Sequence, residues 1–282
     1  MSTSGKLQGR QMDEGAHAHT SNNPVAQNTS YDPCRIVRRQ IRDLNEIFTI
    51  RRLNSKQIES GLHDLWSLVT QTAMVIPADD PAQDRLVAEV VHAQQLRSPG
   101  TNARTADGKL WSDLPFLGVH VSEVWSANLM KIKKETKLNL AAFTARLVAA
   151  EMPGSELGCC ALFVLRETLE TRRGLTVIEY GRDTLVADLL PAAVAWVKFA
   201  GLTLLKSSLE TETSHSEEVE DFLAVGELAQ EDGILATGFS LERWHFWEKR
   251  LGQLSSVDDK EISEQALKGK EFMRKAWSDE SV

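Results

Sequence analysis

A chain of 282 residues with 42% hydrophobic side chains has ample material for a packed core, whether as one large domain or two small ones. Its net charge of −8 argues against broad nucleic-acid affinity, which needs a cationic surface. No apolar run reads as the roughly 20 residues that cross a bilayer, so no membrane is expected.

Residues 1–32 are rich in Ser, Asn, Gln, Thr and Gly and poor in large apolar side chains, the composition of a disordered tail. The tail has no signal-peptide core, and the Asn28-Thr29-Ser30 sequon is expected to stay unglycosylated. His17 and His19 lie within it, where a solvated, incidental pair is the plain reading. Cys34, Cys159 and Cys160 cannot all pair, and adjacent cysteines rarely bridge each other, which suits a soluble protein of the reducing cytoplasm.

A helical domain is expected over 33–282. Its first helix carries Arg35, Arg38, Arg39 and Arg42 on a basic face, with Arg51 and Arg52 beyond, and turns Ile36, Val37, Ile41, Leu44 and Ile47 or Phe48 inward. That face reads as solvated rather than as a site for an anionic ligand or RNA. Ile58, Leu62, Leu65 or Trp66, Val69 and Ala73 then mark a helix from Asn54 to just before Pro77. Asp79-Asp80-Pro81 opens the next, with Leu86, Val90, Ala93 and Arg97 along its inner stripe. Residues 98–108 read as a loop. Pro115 sets a bend before a helix bearing Val121, Val124, Trp125 and Leu129.

Asn139 is expected to cap a helix running Leu140–Ala150, and Ser155 to start another carrying Leu157, Ala161, Leu165 and Leu169. Val177–Tyr180 could form a short strand, but one without a partner. Asp183 to Leu205 is apolar on nearly every face, the pattern of a central helix, with Pro191 at a new first turn or a kink. The acidic stretch 207–221 reads as a mobile loop. In the Trp-rich segment 240–251, Ser240 is the N-cap and Gly252 the left-handed C-cap, while Lys249 and Arg250 fill the last turn. Trp244, Trp247, Leu251 and Leu254 share its buried face. A final helix is expected from Asp258, boxed with Glu261, to about Trp277. The fold class is all-α.

No phosphate loop, nucleophile elbow, Cys-x-x-Cys or His-Glu-x-x-His motif occurs, and no cofactor is implied. Cys159-Cys160 sits in an apolar helix and reads as inert packing. Glu-x-x-His occurs at Glu89/His92 and again at Glu242/His245, with Glu59 and Glu167 in an order that a four-helix carboxylate metal site would accept. Two such matches are unremarkable in a chain this rich in glutamate, and His92 lies off its helix's apolar stripe, so chance is the preferred reading. Arg146 interrupts an apolar helix and needs an oxyanion or carbonyl partner. A structural pair with Glu167 or Glu170 is the plain reading. The sharper one is a ligand carboxylate or phosphate between helices, with Arg166, Arg243 and His245 as neighbours.

Four blocks occur in order: Trp111-Ser-Asp-Leu-Pro-Phe-Leu-Gly118, Asn139-Leu-Ala-Ala-Phe-Thr-Ala-Arg-Leu147, Pro191-Ala-Ala-Val-Ala-Trp196 and Ser240-Leu-Glu-Arg-Trp-His-Phe-Trp-Glu-Lys-Arg-Leu251. Over about residues 45–255 the chain thereby resembles a fungal family of uncharacterised helical proteins, the domain of unknown function 3632. The resemblance implies a fungal source, a single all-helical domain and a neighbourhood among secondary-metabolite genes. Physically, Trp111, Trp125, Trp196, Trp244 and Trp247 read as core. Two function classes follow: a binding or accessory module that holds a small molecule or a protein partner, and a small-molecule enzyme working in a pocket between helices.

Overall fold

The computed structural model describes residues 32–51, 53–96, 104–128, 131–153, 155–210 and 220–280. His17, His19, the Asn28 sequon and the rest of residues 1–31, Arg52, Arg97, the loop residues 98–103, Leu129 and most of the acidic stretch lie outside them. Asp32–Val282 forms one all-α unit with a continuous apolar core.

The first three helices are punctuated by their own side chains. Asp32 caps α1 (Pro33–Ile50), its carboxylate accepting from the Cys34 amide at 3.1 Å. Val37, Ile41, Leu44 and Phe48 face inward, whereas Ile36 and Ile47 stay exposed, which narrows the expected stripe. α2 (Ser55–Val75) starts with a reciprocal box between Asn54 and Gln57. α3 (Pro81–Gln94) starts with Asp80 and Pro81, and Leu86, Val90 and Ala93 line its core side. The end of the expected loop closes into a two-residue hairpin, β1 (Arg104–Thr105) against β2 (Gly108–Lys109). After it Trp111, Leu114 and Phe116 take φ values of 67°, 46° and 68°. That turn is held from outside, with the Trp66 indole donating to the Pro115 carbonyl at 2.7 Å and the Trp111 indole to Asn45 at 3.0 Å. It delivers the chain into α4 (Leu117–Asn128).

α5 (Lys134–Ala149) begins several residues before the expected Asn139 cap. Asn139 lies inside the helix, and its amide ties α5 to α2 by donating to the Met74 carbonyl at 3.1 Å. α6 (Ser155–Leu165) widens at its end into a π-helical turn, Arg166–Glu170. α7 (Val186–Glu210) packs against both α5 and a later helix, and Pro191 sits within its first turns. By length and mean hydropathy (1.5) α7 could cross a bilayer, contrary to the expectation from the sequence, yet 72% of that window is buried inside the fold. α7 also extends into the expected acidic loop, whose far end carries α8 (Glu220–Leu223).

α9 (Glu227–Glu231) precedes the Trp-rich α10 (Leu241–Leu254), capped by Ser240 through the Arg243 amide at 3.3 Å. Gly252 is inside α10 and not its left-handed end, because the helix continues to Leu254. Lys249 and Arg250 are therefore not in the last turn. α11 (Lys260–Glu280), the second helix packed on α7, is capped by Asp259 rather than Asp258, its carboxylate accepting from the Ile262 amide at 2.9 Å. All the tryptophans read as core are fully buried, as is Trp66.

Candidate functional site

The wide π-helical turn ends on Glu170, which is wholly buried and faces the equally buried Arg243 of α10. Arg243 Nε donates to Glu170 Oε1 at 2.9 Å and Nη2 to Oε2 at 3.1 Å. Nη1 donates to the carbonyls of Leu223 (2.9 Å) and Gly238 (2.8 Å), and Nη2 also to Ala224 (3.2 Å). All five guanidinium N–H groups are thereby used. Glu170 also accepts from the Trp247 indole at 2.6 Å and the Gly226 amide at 2.7 Å. Gly226 is needed there, since a Cβ would come within 2.5 Å of Glu170 Cβ. A cation and an anion so fully satisfied have no bonding capacity left for a ligand. Arg243 is a latch joining the π-helical turn, the segment around α8 and α10, not the ligand-binding residue its sequence position suggested.

The other three predicted ligand residues are dispersed. Arg146 pairs with Asp84 of α3 (2.7 Å) and not with Glu167 or Glu170, donates to the carbonyls of Ala78 and Ala142, and lies 3.6 Å over the Phe199 ring. Arg166 meets its neighbour Glu167 at 3.1 Å. His245 is exposed and stacks on Trp277 at 5.9 Å. The metal alternative is not assembled either. Glu89 is buried and accepts from Arg38 Nε at 2.9 Å, while His92, Glu242 and His245 are exposed. Among the described residues no three His, Cys, Asp or Glu side chains gather as metal ligands.

What the arrangement does build is a cavity beside the latch. Arg173, only 4% exposed, donates through Nε to the Glu167 carbonyl (2.8 Å) and through Nη1 to the Thr184 carbonyl (3.2 Å), and ion-pairs with the Glu167 carboxylate. The Gly174 carbonyl accepts from the Val186 amide at 3.0 Å. These bonds pin both ends of the loop 174–185 to the start of α7. The loop tip doubles back through a bridge between Glu179 and Arg182, with Tyr180 and Gly181 at φ 58° and 66°, so the suspected strand at 177–180 is the near side of a tight turn. Between this loop and the C-terminal half of α10 lies a cavity of about 480 Å3, lined by Leu175, Val177, Tyr180, Arg250, Leu254 and Val257 among others. Arg250 and Gln253 also line a second cavity of about 190 Å3 next to α9.

Arg250 is the unusual wall residue. Its Nη1 donates to Gln253 Oε1 at 2.9 Å, but its Nε is sealed from solvent with no acceptor. Burial, and then the nearby Arg172 guanidinium, push its pKa below the usual arginine value. The surrounding cations are occupied: Arg172 holds Glu231 at 2.7 Å and Arg182 faces Glu227 at 3.7 Å. Sequence reading missed Arg250 because it was placed in a helix's last turn. It missed the loop because only Val177–Tyr180 was read there, although Gly174, Gly181 and the basic residues 172, 173 and 182 frame it.

A family model described as "Protein of unknown function (DUF3632)" matches residues 66–251. The chain belongs to this family. The DUF3632 match begins at the buried Trp66 and closes at Leu251 of α10, so it contains the latch and most of the cavity wall. One relative, "Oxopyrrolidines biosynthesis cluster protein G" of Penicillium oxalicum, is 33% identical over 242 residues, which is 77% of this chain. The chain thus spans just under two thirds (66%) of that relative's length. No solved structure matches this DUF3632 chain.

Proposed function

We propose that this DUF3632 protein is a cytoplasmic accessory protein of fungal secondary metabolism that holds a small molecule in the cavity between loop 174–185 and α10. The association with secondary metabolism is supported by the Penicillium relative, whose name places that protein in an oxopyrrolidine biosynthesis cluster. Three buried free cysteines suit a reducing compartment.

The observation that carries the binding role is the cavity itself. Its volume, about 480 Å3, falls within the range of small-molecule sites, and its wall combines apolar surface with a few polar groups. Arg250, Gln253, Thr176 and Tyr180 are groups that orient a ligand. The competing reading, a small-molecule enzyme, would draw on Glu179 and Tyr180 at the rim as its titratable groups. Metabolite profiling of a deletion strain separates the two. An accessory binder predicts a reduced yield of end product with no single precursor building up. Loss of the product with accumulation of one precursor would replace the proposal with the enzyme.

A further inference from the structure

We infer that the cavity ligand is an organic monoanion, an oxyanion group carried on an apolar body, and that Arg250 holds its oxyanion. This rests on the binding reading above and adds the chemical class of the ligand.

Arg173 and Arg243, the two deeply buried guanidiniums of this region, already have their carboxylates: Arg173 pairs with Glu167 and Arg243 with Glu170. Arg250 is half-buried, and its only hydrogen bond among the described residues goes to a neutral amide oxygen. Its Nε is an orphaned donor, and no hydrogen bond among the described residues uses its Nη2, so an oxyanion in the cavity would meet a cation with donors to spare. The cavity wall carries two guanidiniums, Arg173 and Arg250, against one carboxylate, Glu179, within a protein that is acidic overall. Of the two wall cations, Arg173 is committed to Glu167, which leaves Arg250 as the one without a carboxylate among the described wall residues, and one cation matches one negative charge. Glu179, the single carboxylate among the lining residues, is exposed at the rim, where water screens it from a bound anion. Leu175, Val177, Leu254 and Val257 supply the apolar remainder of the wall, and Tyr180 adds a ring face. Such walls favour a compact hydrophobic body with one charged end over a free inorganic ion.

The test compares two fluorescent probes on the full-length protein. 8-Anilinonaphthalene-1-sulfonate is an aryl sulfonate, and N-phenyl-1-naphthylamine has the same rings without the charge. Val257→Trp fills the cavity and is expected to abolish binding of both, which ties the signal to this site. Arg250→Gln is expected to weaken the sulfonate about tenfold or more and to leave the neutral probe within about twofold. Arg250→Lys keeps the charge without the planar fork and is expected to fall between. In nitrogen-15 spectra the Arg250 Nε–H signal should move on titration with the sulfonate and hold still with the neutral probe. Inorganic phosphate should fail to displace the sulfonate at matched ionic strength, and displacement would overturn the apolar-body part of the inference. If Val257→Trp removes both probes but Arg250→Gln leaves the sulfonate unchanged, or weakens both equally, the anion inference is wrong and the cavity reading survives. Should Val257→Trp, folded by circular dichroism, leave both probes bound, the cavity reading itself is wrong.

Discussion

Replacing Glu170 with alanine should cost this fold more than any single change at its surface. The carboxylate satisfies four donors: two on Arg243, the Trp247 indole and the Gly226 amide. Both charged partners have 0% side-chain exposure, so no water can replace what is lost. Removing one member of a buried ion pair costs about 3–5 kcal/mol, and each orphaned buried donor about 1–3 kcal/mol. The four bonds converge on one group and cannot simply be added. An overall loss of about 4–6 kcal/mol is therefore expected, against a total stability on the order of 5–15 kcal/mol. In thermal unfolding that corresponds to a fall of roughly 10–20 °C. Urea denaturation followed by circular dichroism gives the free energy directly. The double variant Glu170→Met with Arg243→Met should recover part of the loss, because no charge then remains unpaired. A Glu170→Ala protein within about 1 kcal/mol of wild type would refute the latch.

Other expectations follow from the same geometry. Gly226→Ala places a methyl within 2.5 Å of Glu170 Cβ and 2.7 Å of its carbonyl oxygen, and should destabilise by about 2–3 kcal/mol in the same urea assay. Burial pushes the Cys159 thiol up to about 11 and those of Cys34 and Cys160 above their ordinary value. An aromatic disulfide reagent near pH 8 should thus find almost no reactive thiol in the native protein and all three in denaturant. Burial also lowers the pKa of His120, with Glu123 opposing and His63 reinforcing the shift. The unfolded chain then binds a proton that the folded one refuses, so stability should fall as pH drops through about 6.5. His120→Gln should flatten that slope in chemical denaturation between about pH 7.5 and 5.5.

The helices were legible where a side chain acts on its own backbone. Ser240 and Asp80 cap as their positions suggest, and Trp244, Trp247, Leu251 and Leu254 bury one face as their spacing requires. Where the controlling contact is distant, the sequence misled. Asn139 looks like a cap, but it spends its side chain on the Met74 carbonyl of α2, and α5 starts without any side-chain cap. Gly252 looks like a helix end, but α10 runs through it to Leu254.

The candidate site was less legible for the same reason. Local spacing cannot tell that Arg146 would find Asp84, that Glu170 would go to Arg243, or that Arg250 would be left over. Those outcomes depend on which helices meet. The π-helical turn that aims Glu170 inward has no period a sequence pattern exposes.

Native mass spectrometry reads most directly whether the cavity holds a small molecule without converting it. Full-length protein and its Val257→Trp variant would each be incubated with a metabolite extract of the producing strain. Wild type is expected to retain a small molecule of unchanged mass, and the variant to retain none. Equal retention by both proteins, or conversion of the retained molecule to one of different mass, would contradict the proposed binding role.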